Sequence, residues 1–208
     1  MLLYKYKVYL FLVLLASCSS DQKNFSFSVD FQSGSLFKSQ ALFLNNLSKT
    51  KSKGEIESLI AEQDWILYYS IKYEKDKKVS ISIENKVPIF ILNDKYYVDK
   101  NFSTFKYDYS NLGFIKVFSP IDEIKNAKTL IDFFEILDNK YMPNLIEYSY
   151  TSGWIASNEK TRISMGKILS DDKLIRLEET INYLNQNTKI PSMIDVRYKD
   201  GIAINYGE

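Results

Sequence analysis

The sequence predicts an α+β protein whose strands outnumber its helices. Several short segments alternate apolar and polar residues, which is the pattern of half-buried strands, and four longer segments have apolar residues at helical spacing. The 208 residues include 16 tyrosines and 13 phenylalanines but only 7 glycines and 4 prolines. Because aromatic residues favour strands, we expect a folded body that is rich in β-structure.

The N-terminal leader predicts export and attachment to a membrane. Lys5 and Lys7 precede an apolar run from Val8 to Ser17, so the amino terminus is expected in the cytoplasm. The run of about ten residues suits a cleaved signal better than a spanning helix, which needs roughly 20 residues. Leu15–Cys18 also resembles the lipobox of bacterial lipoproteins, in which the cysteine is lipidated. Counted from Met1, the same residues form a short retained signal anchor.

The first third of the exported body is predicted to have the order β-α-α-β-β. Phe25, Phe27, Val29 and Phe31 alternate with polar residues and indicate the first strand. Helices are predicted over 36–44 and 53–63, and strands over 65–73 and 79–84, joined by the charged turn Lys75–Lys78.

The remaining two thirds are predicted to be β-rich with two helices. Asn93-Asp94 between strands 89–92 and 96–99 is a hairpin signal. Ser119-Pro120 is expected to cap a helix that carries Ile121, among others, on its inward face. Further elements are strands 145–151, 154–157 and 162–165, a helix over 170–187, a strand Met193–Tyr198, a turn Lys199–Gly201 and a last strand Ile202–Tyr206.

The residue types argue against catalysis. The chain has no histidine, and its one cysteine, Cys18, lies in the leader, which removes Ser-His and Cys-His nucleophile pairs and Cys/His zinc sites. The acidic pair Asp171-Asp172 stands where the first turn of a helix favours negative charge. With 27 basic and 26 acidic residues, no net field attracts nucleic acid. We therefore expect no enzyme activity, no cofactor and no metal.

The last strand is the best candidate for a binding site. It ends near residue 208, so nothing need follow it to cover its edge. An uncovered edge strand offers unpaired N–H and C=O groups to another chain. Strand addition of this kind is an established recognition mode.

Three stretches, in this order, resemble the FtsQ/DivIB family of bacterial cell-division proteins. They are QDWILYYSIKYEKDKKVSISIENKVPIFILNDKYYVD (63–99), SGWIASNEKTRISMGK (152–167) and MIDVRYKDGIAINY (193–206). Departures from the family pattern are Asp64, where proline is usual, and Thr151–Gly153, where basic residues are often found.

The resemblance implies a membrane anchor in residues 1–20, a small β-α-α-β-β POTRA module in 25–86, and a mixed, mainly antiparallel β-rich domain with flanking helices in 87–208. It implies a non-catalytic scaffold of the division complex, with the membrane helix and POTRA module recruiting other divisome proteins. The second domain would bind an FtsB–FtsL-like pair, a strand of FtsB lying beside the last strand. Tyr198, Asp200, Gly201 and Tyr206 stand at the matching positions; Arg197 either pairs with an acidic partner side chain or is structural, and Gly201 either meets the partner or only serves the turn.

The location expected from the resemblance is the inner membrane at the septum, single-pass, with the body in the periplasm. The alternative is a POTRA-like lipoprotein, lipidated on Cys18, that serves outer-membrane assembly or secretion. The division family needs an inner-membrane helix beside those of its partners, which favours the retained anchor with Cys18 near its periplasmic end.

Overall fold

The computed structural model describes residues 25–34, 37–110, 113–137, 139–186 and 190–207. Cys18 and the predicted anchor, residues 1–20, lie outside these residues. Within them the chain is a mixed α+β protein with two sheets and four helices. None of the helices in this part of the chain is long and apolar enough to cross a membrane.

The first 60 or so described residues form a three-stranded sheet with two helices, in the predicted order β-α-α-β-β. Its elements are β1 (Ser26–Phe31), α1 (Lys38–Leu47), α2 (Lys53–Ala61), β2 (Ile66–Tyr73) and β3 (Lys78–Asn85). The central strand β3 is parallel to β1 and antiparallel to β2. As the alternation predicts, Val79, Ile81 and Ile83 are buried, and they share a cluster with Ile56 and Ile60 of α2.

The rest of the chain forms a nine-stranded sheet with two helices. Its strands are β4 (Pro88–Leu92), β5 (Tyr96–Asp99), β6 (Thr104–Lys106), β7 (Lys116–Phe118), β8 (Leu145–Ser149), β9 (Gly153–Ser157), β10 (Arg162–Gly166), β11 (Met193–Asp195) and β12 (Ala203–Asn205); its helices are α3 (Ile124–Glu135) and α4 (Asp171–Asn185). The strand order is β12-β11-β10-β9-β8-β7-β4-β5-β6. Pairing is mainly antiparallel, with parallel pairs at β10–β11, β7–β8 and β4–β7.

The main core lies between the nine-stranded sheet and α3 and α4. Trp154 is fully buried in it. Gly153 has φ +74°, and a Cβ placed there would lie 2.0 Å from the backbone carbon of Gly166. The close approach of β9 and β10 therefore requires glycine at position 153.

A second core joins the two sheets. Ile91, Tyr97 and Phe105 of β4–β6 share a cluster with Phe37 and Trp65. The rings of Phe37 and Phe105 meet edge-on with centroids 5.6 Å apart. One end of the nine-stranded sheet is therefore packed against the part of the chain that forms the three-stranded sheet.

Two features differ from the sequence prediction. Strands β6 and β7 were not predicted, and the helix expected to start at Ser119-Pro120 instead begins with a 3₁₀ turn at Ile121–Glu123 and continues as α3. Pro120 is extended (φ −58°, ψ 154°), so Pro120 and not Ser119 directly precedes the first turn. The Asn93 side chain donates to the Ser119 carbonyl (2.9 Å) and accepts from the Ser119 N–H (3.1 Å), which fixes the backbone ahead of this turn. Ile121, expected inward, is 62% exposed.

Candidate partner-binding edge

The last described strand, β12, lies at the edge of the nine-stranded sheet, and among the described strands it pairs with β11 alone. It is antiparallel to β11, with Ile194 opposite Ile204. Ile202 and Ile204 pack against the main core, whereas Ala203 and Asn205 are exposed. The strand is shorter than predicted, Ala203–Asn205 rather than Ile202–Tyr206.

The backbone of Ile204 points away from the sheet. Arg162 N–H donates to the Ser192 carbonyl and Val196 N–H to the Ser164 carbonyl, so even-numbered residues of β11 face β10. The odd-numbered residues, Met193 and Asp195, therefore bond to β12 at Asn205 and Ala203. Because backbone groups alternate along a strand, the N–H and C=O of Ile204 face outward, where an added strand would bond to them.

Arg197 forms an ion pair within the chain. Its Nε lies 2.9 Å and 3.1 Å from the two oxygens of Asp195, and its Nη2 lies 2.6 Å from Oδ2. The hydrogen bonds from Arg197 hold the pKa of the buried Asp195 below its usual value. Of the two roles considered for Arg197, the structural one is present in this structure. The sequence did hold a signal for this pair: Asp195 and Arg197 have opposite charges and lie two residues apart in the predicted strand Met193–Tyr198, where such side chains share a face.

The connection between β11 and β12 leaves the sheet earlier than predicted. Strand β11 ends at Asp195, not Tyr198, and the segment 196–202 lies outside any strand. Tyr198 is 57% exposed, and Asp200 and Gly201 are exposed beside it. Tyr206, just past β12, is also exposed. The structure therefore brings all the predicted partner-binding residues to one edge of one sheet.

Gly201 is not required by the turn. Its φ lies outside the left-handed region, and no described heavy atom beyond its chain neighbours would lie within 4 Å of an added Cβ. The interpretation in which Gly201 only serves the turn therefore has no conformational basis. Space beside the backbone at this position is available to another chain.

Sequence reasoning missed Arg176 on α4. Its Nη1 donates to the carbonyls of Tyr198 (3.1 Å) and Lys199 (2.9 Å). An open groove of about 690 Å³ separates this helix from the connection, lined by Lys173, Arg176, Glu179, Arg197 and Asp200, among others. No sequence pattern links position 176 to 198, because the contact arises only from the packing of α4 over the sheet.

The opposite edge of the sheet, β6, is in contact with the rest of the chain. Lys106 N–H donates to Oδ2 of Asp64, 2.8 Å away. Nearby, Asp108 accepts hydrogen bonds from Ser39 N–H in the first turn of α1 (2.8 Å) and from the Ser110 hydroxyl (2.6 Å). Burial raises the pKa of Asp108, but these hydrogen bonds outweigh it and hold the pKa below its usual value. At β6 an outward backbone N–H is therefore bonded within the chain, whereas at β12 the backbone of Ile204 faces outward.

Other chemically capable side chains are dispersed. Asp171 and Asp172 lie in the first turn of α4, as predicted. No group of three or more His, Cys, Asp or Glu side chains is placed to hold a metal ion within the described ranges. What the described residues offer is hydrogen-bonding backbone and exposed aromatic surface at β12.

The comparisons with known proteins identify no family: no family model matches this chain, and no curated protein matches it.

Proposed function

We propose that this chain is a non-catalytic scaffold of the FtsQ type, which binds a partner protein by strand addition at β12. The observation that carries the proposal is the edge position of β12, with Ile204 facing outward and Tyr198, Asp200, Gly201 and Tyr206 grouped beside it. The three stretches that resemble the FtsQ/DivIB family supply the kind of partner, an FtsB–FtsL-like pair.

In this proposal the two sheets have separate tasks. The β-α-α-β-β unit serves as the POTRA module, which recruits other divisome proteins together with the membrane anchor in residues 1–20. The nine-stranded sheet presents β12 in the periplasm. The second core, which contains Phe37 and Phe105, supports a fixed relation between the two sheets, as a scaffold requires.

Co-purification with the FtsB-like protein of the same bacterium tests the proposal. We expect Tyr198→Ala and Gly201→Trp to weaken it while the chain stays folded, because both positions are exposed and Gly201 has space for a side chain. Tyr68→Ala is the matched control: this tyrosine is 67% exposed on β2 of the three-stranded sheet, which packs against the end of the nine-stranded sheet opposite β12. Unchanged binding by both variants at β12 would overturn the proposed interface. Depletion of the protein should give filamentous cells, and normal division after depletion would refute the division role.

The sequence Leu15–Cys18 favours a second candidate, a POTRA-like lipoprotein that serves outer-membrane assembly or secretion. Labelling with radioactive palmitate separates the two. The scaffold proposal expects no label and an intact amino terminus. Label that is lost in Cys18→Ala would support the lipoprotein instead.

A further inference from the structure

We infer that Arg176 is a positioning residue, which holds the segment Arg197–Gly201 in the conformation that meets a partner at β12. The inference rests on the proposed function. Arg176 itself does not lie on the edge: it reaches the segment from helix α4 through two backbone carbonyls.

The contact of Arg176 is suited to fixing a backbone. One nitrogen, Nη1, donates to the consecutive carbonyls of Tyr198 and Lys199, at 3.1 Å and 2.9 Å. A second, Nε, lies 3.3 Å from the Asp172 carbonyl on its own helix, which orients the guanidinium plane. A planar guanidinium with donors in fixed directions loses less rotamer freedom per hydrogen bond than a flexible ammonium.

The segment is held from both sides. At its start, the pair between Asp195 and Arg197 attaches it to β11. At Tyr198 and Lys199, Arg176 attaches it to α4. The Tyr198 ring remains exposed between these two attachments, with its carbonyl fixed. Loss of the second attachment would leave 198–201 to sample several conformations, and affinity falls in proportion to the fraction that is competent to bind.

Lys173, one turn earlier on α4, provides a matched control. Its Nζ donates to the carbonyls of Met165 in β10 (3.1 Å) and of Ile168 in the loop that follows (2.9 Å). It therefore makes the same kind of cation-to-carbonyl contact from the same helix, but to a different segment. If an effect of Arg176→Gln came only from the lost positive charge or from weaker docking of α4, Lys173→Gln should reproduce it.

Backbone ¹⁵N relaxation of the full-length chain in detergent tests the tether without any partner. For Arg176→Gln we expect the order parameters at 198–201 to fall below about 0.6, the range of flexible backbone, with no change in the core strands β8–β10. Arg176→Lys should give a smaller fall, because an ammonium retains the donors but not the plane. Lys173→Gln should lower the order parameters near Ile168 and leave 198–201 unchanged. Equal order parameters at 198–201 in Arg176→Gln and wild type would overturn the inference.

Binding to the FtsB-like protein gives the second readout. We expect Arg176→Gln to bind about three- to tenfold more weakly, with a melting temperature close to that of wild type, and Lys173→Gln to bind normally. If Tyr198→Ala weakens binding and Arg176→Gln does not, the positioning role is refuted and the proposed function stands. If Tyr198→Ala and Gly201→Trp both bind normally, the proposed function fails, and with it the positioning role that rests on it.

Discussion

The backbone N–H of Lys106 donates to Oδ2 of Asp64 across 2.8 Å, from edge strand β6 of the nine-stranded sheet to the residue just before Trp65. This N–H faces away from β5. The odd-numbered residues on either side of β6 are the ones that bond to β5 and its hairpin: Tyr107 N–H donates to the Lys95 carbonyl, and the Ser103 carbonyl accepts from Asp99 N–H. The side chain of Asp64, just before β2, thus contacts the edge strand of the other sheet.

Replacing Asp64 tests this contact. We expect Asp64→Ala to lower the free energy of unfolding by about 1 kcal/mol, since a charge-assisted hydrogen bond at a partly solvated site is lost. Asp64→Asn keeps an acceptor oxygen and should lose less than half as much. Thermal melts would show the first change as a shift of about 2–4 °C. Equal shifts in the two variants would contradict the role of the acceptor.

Asp108 should make stability depend on pH. Its folded-state pKa is below the unfolded value, so its contribution is full above about pH 4–5 and is lost as pH falls through the folded pKa. At pH 7 we expect Asp108→Asn to be less stable by about 1–2 kcal/mol, because an amide is a weaker acceptor for Ser39 N–H and Ser110.

Urea denaturation of both proteins between pH 7 and pH 3 measures the difference. The difference in unfolding free energy between wild type and Asp108→Asn should narrow in the acidic range, where protonated Asp108 resembles asparagine. Other carboxylates titrate in both proteins and cancel in the comparison. A gap that stays constant down to pH 3 would show that the ionised form of Asp108 does not carry the effect.

Replacement by alanine should lower stability strongly at Gly153 and change it little at Gly201. At Gly153 the added Cβ meets the backbone of Gly166 at 2.0 Å and the residue has φ +74°, so we expect a loss of about 3 kcal/mol or more. At Gly201 neither restriction exists, and Gly201→Ala should change stability by no more than about 0.5 kcal/mol. Melting temperatures of the two variants decide the matter; similar values would mean that β9 and β10 separate easily.

Ile204→Pro tests strand addition at the level of the backbone. Proline removes the outward N–H of Ile204, which β11 does not use, and proline is tolerated at such edge positions. We expect binding of the FtsB-like partner to weaken at least about tenfold, because one intermolecular hydrogen bond is lost and the edge is blocked. Ile204→Ala, which keeps the N–H but removes the side chain, is the control for lost packing. Equal weakening by the two variants would argue that the side chain alone matters.

The sequence allowed prediction of the elements whose pattern is long and regular. Strand β3, with Val79, Ile81 and Ile83 buried, and the hairpin at Asn93-Asp94, where both residues adopt positive φ, are where the alternation and turn residues put them. The strands β6 and β7 were missed because each is only three residues long and has a single buried residue, Phe105 and Val117 respectively. No period can be detected in so short a segment.

The candidate edge could be predicted in outline but not in its contacts. The last strand was expected at an edge, and among the described strands β12 does lie at one. Arg176 could not be found, because 22 residues separate it from Tyr198 and only the packing of α4 brings them together. Ile121 was misplaced because Pro120 is extended and Ile121 lies in a 3₁₀ turn, not in the α-helix whose spacing placed it inward.

The bond between Asp64 and Lys106 also bears on how many copies can associate. Head-to-tail pairing of β6 of one molecule with β12 of the next would join sheets without closure and produce an open filament. That pairing needs the outward N–H of Lys106, which Asp64 already occupies. A strand added at β6 would have to displace Asp64, so the bond protects this edge of the nine-stranded sheet against open-ended growth.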